Sequence, residues 1–277
     1  VALGREAPLV RPLRMAPETH GPEGIGYATL PLAKRELSDR HAADLIVQEA
    51  RRRPGELTLI TLGPLTNLAV ALEREPELPL LLKRLVMMAG SYRSAGNTAP
   101  TTEWNVAIDP EAMQAVITGW TAYPDAPRPV ALGLDVTERA KMTPDHLADL
   151  HASAGAAGAS PGDQASQHSP VLAFIDDALR FYMEFHSRYD GFYGAFIHDA
   201  LAVAAALDPS LIRTDLLTVE VELKGTHTTG ETVTDWRRSW GRPPNLDIAV
   251  EADIQSFFAR FIERVGALAA AGSNVAI

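Results

Sequence analysis

The sequence predicts an α/β protein: a mostly parallel sheet covered by helices, with a small antiparallel set at one edge. Three observations carry that expectation. Between Ser38 and Thr137, short β-rich apolar runs alternate with longer stretches of helical spacing, the pattern of βαβ units. The runs LTLITLG and KRLVMMAG are continuously apolar rather than alternating, as strands buried on both faces are. The chain of 277 residues is 46% hydrophobic and 22% charged, enough apolar surface for a substantial core.

Taken in order, VALG at the start reads as a strand. Ser38 is a candidate N-cap for a helix over DRHAADLIVQEARRR, which sets Ala42, Leu45, Ile46 and Ala50 at helical spacing and stops at Pro54-Gly55. LTLITLG then reads as a buried strand, GPLTNLAVALEREPEL as a helix, KRLVMMAG as a strand, DPEAMQAVITGW as a helix and RPVALGLDVT as a strand. From Thr143 onward helices dominate. MTPDHLADLHA and PVLAFIDDALRFYMEFHSRY are separated by SAGAAGASPGDQASQHS, whose small and polar residues predict a mobile loop. After a helix over HDALAVAAALDPSL, the runs LLTVEVEL, ETVTDW and LDIAV predict the antiparallel edge set, and DIQSFFARFIERVGAL a last helix. No internal repeat is visible, and a single domain over 1–277 is expected.

Composition excludes several functions. A formal charge of −10 leaves no basic face for phosphates, which counts against nucleic-acid polymers and anionic membranes and favours a small neutral molecule or a cation. There is no cysteine, so disulfides, thiolate nucleophiles and thiolate metal sites are out, and hard cations held by oxygens remain. The longest apolar runs are too short to span a bilayer and the first residues lack a secretory pattern, so a cytoplasmic location is expected.

Candidate chemistry gathers in two places. Asn97, Glu103 and Asn105, with Trp104 among them, follow the apolar run RLVMMAG; amides donate and accept while a carboxylate accepts, so the set suits sugar hydroxyls. Ligands in sheets of this kind bind beyond the carboxyl ends of the strands, where this cluster falls. The plain alternative is a turn in which Asn97 caps backbone and Glu103 is solvated. His198-Asp199 opens an apolar helix; it offers a proton donor and a hard-cation ligand, or simply a helix cap. Just before it, RYDGFYGAF carries four aromatics among glycines, and Tyr189 and Tyr193 read as flap residues able to stack on a flat ligand, whereas Phe196 reads as core.

With HGPEGIG, LGPLTNLA, VMMAG…GN…TEWNVAIDPEAM, GLDVT, HDALAVAAALDP and GETVTDW in this order, the chain resembles the inosine-uridine preferring nucleoside hydrolase family over essentially its whole length. The resemblance implies a Rossmann-like core and a calcium-assisted enzyme of purine and pyrimidine salvage that hydrolyses the N-glycosidic bond of ribonucleosides. It implies that Asn97 and Glu103 hold the 5′-hydroxyl side, that Asn105 takes the remaining ribose hydroxyls and that Met88 lines the ribose floor. Asp199 and the carbonyl of Leu62 would ligate calcium, His198 would protonate the leaving base, and His20 is similar to a further histidine on the base side. A small-molecule ribonucleoside is the expected partner and a homo-oligomer the expected assembly.

The chain also departs from the family pattern. The aspartate-rich signature expected on a first strand is missing, so the sequence reads as beginning part-way into the family, without its first strand–helix units. Ala89-Gly90 stands where two glycines are usual. Asp199 and one carbonyl make a poor calcium site, because calcium takes about six to eight oxygens, and a lost strand bares a sheet edge that invites aggregation. The expectations are weak or absent calcium binding and little activity for the chain as given. A noncatalytic ribose-binding remnant is the alternative, and a sugar phosphotransferase finds no phosphate-cradling loop to support it.

Overall fold

The computed structural model describes residues 1–155 and 169–271, so most of the predicted mobile loop lies outside the described residues. In chain order the elements are α1 (Pro17–His20), α2 (Ala42–Arg52), β1 (Thr58–Thr61), α3 (Thr66–Arg74), α4 (Leu78–Leu81), β2 (Arg84–Met88), α5 (Trp104–Ile108), α6 (Pro110–Thr121), β3 (Val130–Leu132) and α7 (Leu134–Thr137). They continue as β4 (Lys141–Met142), α8 (Pro144–Ser153), α9 (Pro170–Tyr189), β5 (Ala195–Phe196), α10 (His198–Leu207), β6 (Ile212–Leu217), β7 (Val219–Val221), β8 (Thr232–Thr234), β9 (Leu246–Ala252) and α11 (Ile254–Ala271).

The main sheet runs β1-β2-β3-β9-β6, parallel from β1 through β9 and antiparallel only where β6 meets β9. This is the mostly parallel α/β sheet that the apolar runs predict. β2 is buried along Leu85–Met88, which is why RLVMM carries no alternation. Prolines open α6, α8 and α9 at positions whose N–H would have no helical partner.

The described residues divide into two compact units. The first comprises Val1–Arg14, Glu36–Glu138 and His198–Ala252 and holds the main sheet. Its core joins β2 and β3 to α3 and α6 through Leu68, Leu72, Leu85, Met87, Met113, Val116, Trp120 and Ala131. Each such side chain contributes roughly 1.5–3 kcal/mol by leaving water. The second unit comprises Met15–Arg35, Arg139–Ile197 and Asp253–Ile277, with a core of Leu150, Leu172 and Ala269 on α8, α9 and α11. There Gly266 lets α11 approach Ser153 of α8 too closely for any Cβ.

Four local expectations are corrected. VALG is not a strand: Ala2 makes one isolated bridge to Ser38, and Leu3 accepts from Ala42 N–H. The helix after it begins at Ala42, not behind Ser38, because the His41 imidazole accepts the Ala43 N–H at 3.1 Å and acts as the cap. The strand in RPVALGLDVT ends at Leu132, and Leu134–Thr137 turn into the one-turn helix α7. The edge set is smaller than expected. Of the runs expected there, β7 and β8 form a separate antiparallel pair, while β9 (LDIAV) lies inside the main sheet between β3 and β6.

Candidate functional site

Within the first unit, the carboxyl ends of β1, β2 and β3 and the first turn of α10 carry most of the predicted polar residues. α10 packs against β1, β2 and α7. Leu62 follows β1 and is 40% exposed; Met88 ends β2 and is buried. The chain leaves β2 through Gly90, whose φ of +87° and 2.9 Å approach to the Tyr92 ring leave no room for a side chain. Asp135 of α7 then gathers the next turn, accepting the N–H groups of Tyr92, Arg93 and Ser94 at 2.7–3.1 Å.

Glu103 is only 2% exposed, not solvated. Its Oε1 accepts the Asn105 N–H at 2.7 Å, and its Oε2 accepts those of Gly90 at 3.0 Å and Val106 at 3.1 Å. The carboxyl therefore caps α5 and ties it to the end of β2. Burial pushes its pKa up to about 7, against the three N–H bonds that favour the anion, and the nearby charge of Asp199 adds to the rise. Asp199 thus lies within electrostatic reach of Glu103. Asp199 itself keeps an open face to water yet is sheltered enough for desolvation to lift its carboxyl to about 6.

The two asparagines differ. Asn105 donates Nδ2–H to the Met88 carbonyl at 3.0 Å, which leaves its Oδ1 as an acceptor. Asn97 is exposed and its Oδ1 accepts the Trp104 N–H at 2.9 Å, leaving Nδ2 as a donor. Trp104 lies half-buried, with the Arg14 guanidinium 5.5 Å from its ring. His198 opens α10, its Nδ1 2.8 Å from the Thr137 hydroxyl.

His20, Tyr189 and Tyr193 belong to the second unit. His20 ends α1, 5.2 Å from the Tyr182 ring, and desolvation together with the neighbouring His186 lowers its pKa. Tyr189 and Tyr193 are exposed, whereas Phe192 and Phe196 pack around the buried His186, whose Nδ1 lies 2.6 Å from Asp190.

Calcium, which the resemblance implies, needs about six to eight oxygen ligands. Among the described residues no group of three or more histidine, aspartate or glutamate side chains is arranged to hold a metal ion. Asp199 and the Leu62 carbonyl alone do not fit that ion. No helix among the described residues is long and apolar enough to cross a membrane.

Residues 1–259 match the family described as inosine-uridine preferring nucleoside hydrolase. The chain belongs to that family. A nucleoside hydrolase is an enzyme that breaks the N-glycosidic bond of ribonucleosides, and the curated relatives are named accordingly. The inosine-uridine preferring nucleoside hydrolase of Leishmania major is 35% identical over 274 residues, 96% of this chain and 79% of the relative. Among solved structures, a plant nucleoside hydrolase superposes with a TM-score of 0.83 at 27% identity, covering 96% of this chain and 80% of that one. The purine-preferring ribonucleoside hydrolase from Gardnerella vaginalis superposes at 0.81 and 26% identity, covering 98% and 79%. This nucleoside hydrolase thus shares its fold with enzymes named for different bases.

Asp135 and Thr137 escaped the sequence reading although both lie in the GLDVT motif. The sequence predicts that run as the end of a strand, and nothing in its spacing marks a one-turn helix that turns Asp135 to the N–H groups of Tyr92, Arg93 and Ser94 and Thr137 to His198.

Proposed function

We propose that this nucleoside hydrolase holds its ribose over the carboxyl ends of β1 and β2 and delivers a proton to the departing base from His198. Asn97 Nδ2 and the remaining lone pairs of Glu103 meet the 5′-hydroxyl, Asn105 Oδ1 accepts from a ring hydroxyl, and Met88 forms the floor. The C1′–N bond breaks with its electron pair leaving on the base, His198 Nε2 supplies the proton that makes the base neutral, and water adds to C1′, its proton passing to the solvent from which His198 Nε2 is reprotonated. The developing positive charge on the sugar is stabilised by the carboxylates of Glu103 and Asp199.

The observation that supports this reading is the packing of α10, which opens with His198-Asp199, against β2, whose end Glu103 and Asn105 hold, since it joins the two sequence clusters in one neighbourhood. Cytoplasmic ribonucleoside breakdown, feeding base salvage and carried out by a homo-oligomer, completes the proposal.

Inosine and uridine are the substrates to try first, because the matched family carries their names. Purified protein should release ribose from at least one of them, and Asp199→Asn should cut that release at least tenfold while the far-ultraviolet circular dichroism stays unchanged. Riboside binding without any ribose release would assign the chain to a binding protein and overturn the reading.

A further inference from the structure

Resting on the assignment of His198 as proton donor, we infer that Thr137 is a positioning residue that fixes which nitrogen of His198 carries the transferable proton. The side chain of Thr137 is completely buried, with 0% exposure. Its hydroxyl donates to the Gly133 carbonyl at 3.1 Å, the i to i−4 bond of its own helical turn. A hydroxyl has one hydrogen, so with that hydrogen committed its oxygen can only accept. The second contact, 2.8 Å to His198 Nδ1, therefore runs from Nδ1–H to Oγ1.

The direction of this bond has a chemical consequence. An imidazole whose Nδ1 keeps its hydrogen can lose or gain a proton only at Nε2. After Nε2 gives its proton to a leaving base, the neutral ring that remains already carries its hydrogen on Nδ1, facing Thr137. Before the next turnover Nε2 has only to take a proton back from water, with no ring flip and no tautomer exchange. The same bond holds the ring plane, because Thr137 sits on α7, which packs against α10 and β9. Thr137 never meets substrate; it acts through the histidine.

The chain also explains why a threonine suits this position. Serine would keep the hydroxyl, valine would keep the volume, and each separates one contribution from the other. Thr137→Val removes the acceptor from His198 Nδ1–H and the donor from the Gly133 carbonyl while preserving the packing.

The test combines activity with a readout that needs none. In protein labelled with 15N-histidine, the His198 resonances, assigned by their loss in His198→Gln, should report a single Nδ1–H tautomer at neutral pH, and Thr137→Val should convert it to a mixture of tautomers. Thr137→Val should lower kcat ten- to hundredfold with KM within about twofold. Thr137→Ser should restore the single tautomer and most of kcat. A wild-type His198 found as the Nε2–H tautomer, or a Thr137→Val protein that keeps its Nδ1–H signal, overturns the inference. Should the tautomer respond as expected while His198→Gln leaves turnover intact, the positioning stands and the proton-donor assignment falls instead.

Discussion

Glu103 gives the sharpest test of the site's electrostatics. Its carboxyl is buried and its pKa rises from 4.5 to about 7. Below pH 4.5 the group is protonated in both the folded and the unfolded chain, and its contribution to stability is fully present. Between 4.5 and about 7 the unfolded chain ionises first, so stability falls as pH rises, and above about 7 the loss is complete. At about 1.4 kcal/mol per pH unit, the rise corresponds to a loss on the order of 3 kcal/mol. Glu103→Gln removes the titration. Glutamine resembles the protonated acid: its oxygen can serve the Gly90 and Val106 N–H groups, and its amide nitrogen then faces Asn105 N–H, a loss of about 1–3 kcal/mol. Urea unfolding of both proteins at pH 5 and pH 8 separates the two effects. The wild type minus variant difference should fall by roughly 2–3 kcal/mol between those values. A difference that is constant across pH would refute the argument, because it would mean that the three backbone donors fully offset burial and that Glu103 ionises as in water.

Three other outcomes follow from single contacts. Asp109, at 0% exposure, accepts from Leu9 N–H at 2.9 Å, Thr66 Oγ1–H at 2.6 Å and Ala112 N–H at 3.1 Å; Asp109→Ala should cost about 3 kcal/mol or more in chemical denaturation, by orphaning three donors. Gly90→Ala meets both a φ of +87° and the Tyr92 hydroxyl at 2.9 Å, so it should destabilise by about 2 kcal/mol and should reduce ribose release, whereas Gly55→Ala, strained by a φ of +74° but with open space around it, should cost stability and leave turnover unchanged. Asn245 copies a strand neighbour, accepting from Val219 N–H at 2.8 Å and donating to Val219 C=O at 2.9 Å; Asn245→Ala should cost about 2–3 kcal/mol, seen as a lowered Tm.

Much of this architecture can be read from residue order. The helix over PVLAFIDDALRFYMEFHSRY lies where its proline start and apolar spacing put it, as α9, and the buried strand KRLVMMAG is β2 with the cluster of asparagines just beyond it. Local chemistry is legible because it depends on near neighbours. What stayed hidden depends on partners far away in sequence. LDIAV carries no mark that it enters the main sheet beside Val130, and pairing with residues more than a hundred positions earlier decided its place. Glu103 was legible as a carboxylate near a strand end, yet not as the cap of α5, because glutamate is uncommon in that role and its long side chain reaches back over Gly90. His41 capped α2 for a similar reason: an imidazole nitrogen accepts as well as a hydroxyl does, but residue type alone does not announce it.

The placement of β9 between β3 and β6 also dictates the order of events as the chain leaves the ribosome. β1, β2 and β3 can zip together early through short crossovers, but the flank of β3 that faces β9 stays open until more than a hundred further residues have been made. The late arrival brings β6 with it as an antiparallel companion. The rate of folding is thereby tied to a long loop closure, and a chaperone would find its longest opportunity at the unfilled side of Val130–Leu132.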